Sequence, residues 1–344
     1  MSHIWVPRVK ILEPRDEIKL NAGGVAGFYT LTKRKADTLE VTQQLGPFKN
    51  LITDLGLDQV GKGRFCTYCF VGSGSAAPAT TDTQLQNYLA YTGTQQVGAT
   101  GTLQRGDVSQ GYWVQGSITF RFAAGVAAGN ISEVGVGNFE PGGETSVNHR
   151  VSSRALILDG LGSPTTITVL SDEVLDVTYA PRHYPYLGAD VVQTVYLSGV
   201  PYQFTTRSLA LLGSSHQCNP YAGNVYPYSQ SDTTWCTGTA AGTPPTLAGV
   251  TATAMLAEGS TSNSASSMSR AAYVAGSHEN AFTLTLGLAN GNLAYGLRGL
   301  RQVWQGSGTI SFCGQSFQSE IFPAIPKDST KVMTIGFKKG WARY

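Results

Sequence analysis

A chain of 344 residues is long enough for about two domains and a sizeable buried core, and its 41% hydrophobic content excludes wholesale disorder. Charged residues make up only 13% of the chain, so 36 Thr, 29 Ser and 41 Gly must wet the surface, and these suit turns and strand faces better than helices. The net charge of +2 argues against a nucleic-acid enzyme, no stretch approaches the ~18 apolar residues of a membrane span, and five cysteines are not the pattern of a disulfide scaffold.

Residues 1–40 hold 12 of the charged side chains. The start, Met1 to Arg8, lacks the long apolar region of a signal peptide, and folding in a cytoplasm is expected. Short alternating runs such as Phe28 to Thr32, broken by Pro7, Pro14 and Gly23-Gly24, read as an extended arm with a hairpin over residues 1–45. Trp5, Arg8, Phe28, Tyr29, Lys33 and Arg34 are its candidate assembly residues.

One helix is predicted over Leu51 to Val60, with Asn50 as cap, Gly56 weakening it and Gly61 ending it. Strand signals dominate afterwards. They cover Phe65 to Val71, Ser117 to Phe122, Arg154 to Leu158, Thr166 to Leu170 and Val174 to Tyr179, the last with Leu175, Val177 and Tyr179 inward and Asp176 and Thr178 outward. Val191 to Leu197 and Tyr202 to Thr206 flank a hairpin turn at Ser198-Gly199-Val200-Pro201. Long neutral loops are expected from Gly213 to Ser277, after which strands resume at Phe282 to Leu286 and Lys331 to Phe337.

Ser171 to Tyr179 echoes Ser329 to Phe337 at an offset of 158, so that Leu175, Val177 and Tyr179 match Met333, Ile335 and Phe337. The fold expected is all-β, with two antiparallel, jelly-roll-like sandwich domains over residues 46–210 and 211–344 behind the arm.

Few constellations point to chemistry. Cys66-Thr67-Tyr68-Cys69 has the spacing of zinc and redox sites, and His216, Cys218 and Cys236 could complete a tetrahedral set. Strand alternation instead points the two thiols to opposite faces, where each packs as a small apolar group, and the spacing leaves metal binding and free thiols both open.

The histidines His3, His149, His183, His216 and His278 are scattered and read as surface or turn residues, and no G-x-S-x-G elbow is present. Gly72-Ser73-Gly74-Ser75 lacks the Lys-Ser/Thr of a phosphate loop and reads as a turn. Asp172, Glu173 and Asp176 share one strand end and read as solvation of an edge rather than a glycosidase pair. Tyr221, Tyr226, Tyr228 and Trp235, in the neutral loop region, are candidate receptor or partner contacts, or they pack on their own domain. Neither catalytic residues nor a cofactor is predicted.

The run Asn50 to Asp58, followed by Val71 to Ala79 and Thr81 to Leu85, resembles an opening found in structural proteins of tailed double-stranded DNA bacteriophages. Ala127 to Gly137, Arg154 to Gly160 and Ile167 to Tyr179 continue the resemblance, which covers about residues 45 to 207. It implies a virion component, such as a tail fibre, a fibre adaptor or a neck or collar appendage, and assembly rather than catalysis. The expected partners are further copies of the chain, as a trimer or larger ring, and other virion proteins, with no nucleic acid contacted directly. A capsid decoration or cement protein is the alternative, and a host-receptor module binding glycans through residues 213–277 is a third. The absence of heptads and shaft repeats favours a short appendage over a long fibre.

Overall fold

The computed structural model describes residues 10–12, 17–62, 65–96, 104–105, 113–141, 143–210, 233–237, 267–290, 292, 296–303 and 315–344. Strands β1 (Lys10–Leu12), β2 (Ile18–Lys35), β3 (Val41–Lys49) and β4 (Leu51–Ile52) precede helix α1 (Asp54–Lys62). Next come β5 (Tyr68–Gly72), β6 (Tyr88–Thr92), β7 (Gln104–Arg105), β8 (Val114–Gln115), β9 (Ile118–Phe122) and β10 (Gly129–Ile131). They are followed by β11 (Glu133–Phe139), β12 (His149–Leu156), β13 (Ile167–Val169), β14 (Glu173–Tyr184), β15 (Val191–Leu197) and β16 (Val200–Ala210). The remainder are β17 (Thr233–Thr237), β18 (Ser267–Arg270), β19 (Glu279–Leu286), β20 (Leu297–Val303), β21 (Gln315–Ile325) and β22 (Lys331–Arg343).

The largest sheet has ten strands in the order β18-β19-β22-β2-β14-β8-β7, with β1 beside β22, β3 beside β2 and β9 beside β14. Its long central strand β2 is antiparallel to β14 along one side. On its other side β2 runs parallel to β22 in its first half and antiparallel to β3 in its second. A second sheet, β4-β12-β11-β5-β6, and a third, β15-β16-β21-β20-β17, are antiparallel throughout, and β10 pairs with β13.

The second sheet meets the first where the Tyr29 hydroxyl and Ser153 Oγ share a 2.7 Å hydrogen bond. The third meets it where the Gln193 amide both accepts from and donates to the Lys19 backbone, each bond 3.0 Å long. One continuous core, including Ile18, Tyr29, Val71, Val136, Phe204, Ile321 and Ile335, joins all three sheets. Each fully buried large apolar side chain in it contributes ~1.5–3 kcal/mol.

The all-β expectation holds. The expected divisions at residues 45 and 210 do not follow the sheets, because the ten-stranded sheet takes β2 from the first stretch, β7, β8, β9 and β14 from the second and β18, β19 and β22 from the third. Residues 18–35 are therefore no free arm: β2 is hydrogen-bonded on both sides, although the hairpin with β3 is present. The echoing strands β14 and β22 flank β2 within this one sheet, and Leu175, Val177, Tyr179, Met333, Ile335 and Phe337 are all buried. In the tract expected to be loops, β17 and β18 lie on strands, and the rest of 213–266 is outside the described residues.

The helix starts later than predicted, because Leu51 and Ile52 pair with Arg154 and Ser153 as β4. Thr53 caps it instead of Asn50: its Oγ1 accepts from the Gly56 N–H at 2.9 Å. Asn50 is buried and donates to the Tyr179 hydroxyl, 3.3 Å away. Gly61 lies inside the helix rather than at its end.

Candidate interaction surface

Alternation along β14 turns Leu175, Val177 and Tyr179 into the core and leaves Asp176, Thr178, Ala180, Arg182 and Tyr184 on the other face of the ten-stranded sheet. Asp176, expected to be solvated, is buried on that face because two guanidinium groups clamp it: Arg34 Nε at 2.8 Å and Arg121 Nε at 2.6 Å. Further along, Thr178 pairs with Thr30 and Thr119, which gives a neutral band.

Beyond that band the face becomes aromatic and cationic. The Arg182 guanidinium lies 4.3 Å from the Phe28 ring centroid on the β2 side and 3.9 Å from that of Trp113 on the β8 side. Arg182 Nε donates to Gln115 at 2.8 Å and an Nη to the Tyr184 hydroxyl at 3.2 Å, which fixes the guanidinium beside the rings. Tyr184 stacks on Tyr344 with centroids 3.4 Å apart and planes 8° from parallel, and Lys49 Nζ stands 5.7 Å from the Tyr344 centroid. Gly24 makes this possible, since a Cβ there would fall 2.8 Å from that of Tyr344.

Among the described residues, neither Arg182 nor Lys49 has a carboxylate within ion-pair distance. Phe28, Trp113, Arg182 and Tyr184 are half-buried, while Lys49 and Tyr344 are exposed. Each cation–π contact contributes ~0.5–2 kcal/mol, so the group is ordered before any partner arrives.

The residues proposed for the arm separate in the structure. Phe28 belongs to this face. Tyr29 points the other way and is fully buried, and burial, reinforced by Tyr179, pushes its hydroxyl pKa well up. Lys33 pairs with Glu173 at 3.3 Å and Arg34 with Asp176, so both are occupied within the sheet. Glu173 is likewise buried rather than solvating an edge.

Trp5, Arg8, Tyr221, Tyr226 and Tyr228 lie outside the described residues, and Trp235 lies on β17 opposite Arg301. Trp113, Arg182, Tyr184 and Tyr344 carry no motif. Extending the period-2 pattern of β14 from Tyr179 to Tyr184 was the signal that would have found two of them.

Cys66 and Cys69 do not point to opposite faces: Cys66 precedes β5, strand alternation does not govern it, and both thiols enter the main core. Burial pushes Cys66 up to about 12, and burial with Cys66 nearby raises Cys69 well above the usual thiol range, so at neutral pH both stay protonated. Among the described residues no three His, Cys, Asp or Glu side chains stand together as a metal set. The Gly72 to Ser75 loop cannot cradle a phosphate as it stands, because the Gly74 N–H donates to Glu133 and the N–H groups of Ser75 and Ala76 to the Gln86 side chain.

A second aromatic group covers the outer side of the second sheet. Tyr68 and Tyr91 each pack edge-on to Phe139 with centroids 4.9 Å apart, and both hydroxyls donate to Glu144, at 2.5 and 2.6 Å. Those two bonds hold the Glu144 carboxyl below its ordinary range. The rings touch one another, which leaves no cage for a ligand cation.

His149, expected at the surface, is buried beside Phe70 and Tyr88. Its Nε2 accepts from the Leu85 N–H at 3.0 Å while Nδ1–H donates to the Ser146 carbonyl, so the ring must be neutral. Burial, with Arg150 nearby, lowers its pKa against the opposing pull of the Ser146 bond and Glu133. Between the lowered folded pKa and the unfolded value of about 6.5, the unfolded chain binds more protons. Stability is therefore expected to be whole above that value and to fall as pH drops towards the folded pKa. Urea midpoints at pH 7.5 and 5.0 check this, and His149→Gln should show a shallower pH slope.

No protein-family model matches this sequence, and neither a curated protein nor a solved structure is significantly similar to it. The protein's class is defined by its sheets: a multi-sheet all-β protein.

Proposed function

We propose that this protein is a non-enzymatic structural component of a tailed-phage virion, tail-associated as a fibre, fibre adaptor or collar appendage, which assembles through the exposed face of its ten-stranded sheet. The observation that carries the reading is the group of Trp113, Arg182, Phe28, Tyr184, Tyr344 and Lys49. Trp, Tyr and Arg are the residue types that dominate interface energetics, and here they stand preordered, with uncompensated positive charge, on a chain otherwise poor in charge. The resemblance over residues 45 to 207 supports the virion setting.

Arg182→Ala is expected to weaken assembly roughly 30-fold, about 2 kcal/mol, beyond a loss of about 1–2 kcal/mol in folding stability from the cation–π contacts it also removes. Incorporation into particles and the melting curve measure the two effects. Locating the chain in an electron-microscopy map of purified virions tests the setting, and its absence from particles ends the proposal.

A further inference from the structure

We infer that β15 is a docking edge for a second copy of this chain, the two β15 strands pairing antiparallel about a twofold axis at Thr194. Proteins blunt exposed strand edges with short length, bulges, Pro or charge. Among the described residues, most other sheet ends follow that rule. β4 and β7 have two residues each, β18 has four including Arg270, and β6 pairs through a register shift between Val71 and Gly72, whereas β17 is unprotected but shorter than β15, with five residues. The nine-residue β3 contains Pro47 and pairs with two shifts.

Strand β15 has none of these protections. Its seven residues, Val191-Val192-Gln193-Thr194-Val195-Tyr196-Leu197, pair with β16 in unbroken register, and among the described residues no strand pairs with its other edge, β2 being reached only through the Gln193 side chain to the Lys19 backbone. From Val191 to Thr206 the sequence carries no ionised side chain, so two copies meet there without like-charge repulsion.

The strand is also self-complementary. Antiparallel pairing about Thr194 sets Val192 against Tyr196 of the other copy and Thr194 against its own counterpart, and aromatic with β-branched and Thr with Thr are favourable cross-strand pairs. The same operation sets Val191 against Leu197 and Gln193 against Val195, so inward residues stay inward. The alternation of the strand supports this: Val195 and Leu197 are buried, whereas Val192 is 56% and Tyr196 41% exposed. Phe322, also exposed, lies opposite Gln203 on the same outward face, two strands in from the edge. A symmetric contact of this kind closes on itself and joins the two third sheets into one.

The inference rests on the assembly reading only in taking a second copy as the partner. Light scattering of the whole chain over a concentration series should show mass in even multiples. Thr194→Lys, on the outward face, should raise the dissociation constant at least tenfold while the melting curve stays in place. Thr194→Cys should form a disulfide-linked pair on oxidation that the wild type does not form. An unlinked Thr194→Cys chain, or a Thr194→Lys chain that associates as the wild type does, overturns the inference, as does a strand from residues 211–232 or 238–266 found on this edge. If those results appear while Arg182→Ala still impairs incorporation into particles, the edge is wrong and the assembly reading stands.

Discussion

Replacing Arg154 by methionine is expected to cost about 3–5 kcal/mol of folding stability, the range for leaving a buried charge without its partner. Arg154 is almost fully buried and its guanidinium bonds three ways: Nε to Glu133 at 2.8 Å, one Nη to Asp82 at 2.7 Å and the other to the Ala76 carbonyl at 3.0 Å. Glu133, with no exposed surface, also accepts from the N–H groups of Gly74, Gln86 and Asn87 at 3.0, 3.1 and 2.7 Å. The loop from Ser73 to Asn87 is thus tied down by two side chains from the neighbouring strands β11 and β12. Without Arg154 the carboxylate keeps three N–H donors but loses its counter-charge in a site water does not reach.

A urea titration measures the loss, and amide exchange in residues 73–87 should quicken with it. A double variant, Glu133→Gln with Arg154→Met, should recover part of the loss, because neither charge is then stranded. A cost under about 1 kcal/mol for the single change would show that the tie is not electrostatic. The knot joins the loop residues Gly74, Ala76, Asp82, Gln86 and Asn87 to Glu133 and Arg154 in one hydrogen-bonded unit.

Gly56→Ala should be almost as damaging, although alanine is intrinsically the better helix former by about 1 kcal/mol. A Cβ at residue 56 would lie 1.8 Å from the Ser152 carbonyl oxygen, and that backbone is fixed within β12. Helix α1 would have to lift from the sheet. Lifting it strains contacts far along the chain: Trp341 Nε1 donates to the Leu57 carbonyl at 2.9 Å, the Tyr273 hydroxyl to Asp58 at 2.6 Å, and Arg343 pairs with Asp54.

Overpacking of this kind costs about 1–3 kcal/mol and at times more, and the missing room here places the expected loss near the top of that range. Gly160→Ala is the control, because nothing lies within 4 Å of a Cβ there and its backbone needs no positive φ. A fall in the urea midpoint for Gly56→Ala with none for Gly160→Ala is the expected pair of results, and equal midpoints would contradict the close approach.

The strands were legible where the period-2 pattern was strong. Val191 to Leu197 is found at the residues expected, and the two-residue turn after it has Ser198 and Gly199 at φ 51° and 84°, as a tight hairpin requires. Ile118, Phe120 and Phe122 share a buried face as read. The candidate surface was only partly legible. Phe28 was singled out, but its partners Trp113, Arg182 and Tyr344 come from distant parts of the chain and meet only because β8, β14 and β22 lie around β2.

From the amino acids alone came the all-β character, the inward triplets of β14 and β22, the hairpin after Leu197 and the scarcity of charge. These are local properties, set by residue type and by spacing along a few neighbouring positions. The tertiary structure decided which strand lies beside which, and so turned an expected arm into the middle of a ten-stranded sheet and buried Asp176, Glu133 and Arg154. Strand partners are chosen by contacts between residues more than a hundred positions apart, such as Tyr29 with Tyr179, and alternation within one strand holds no information about them.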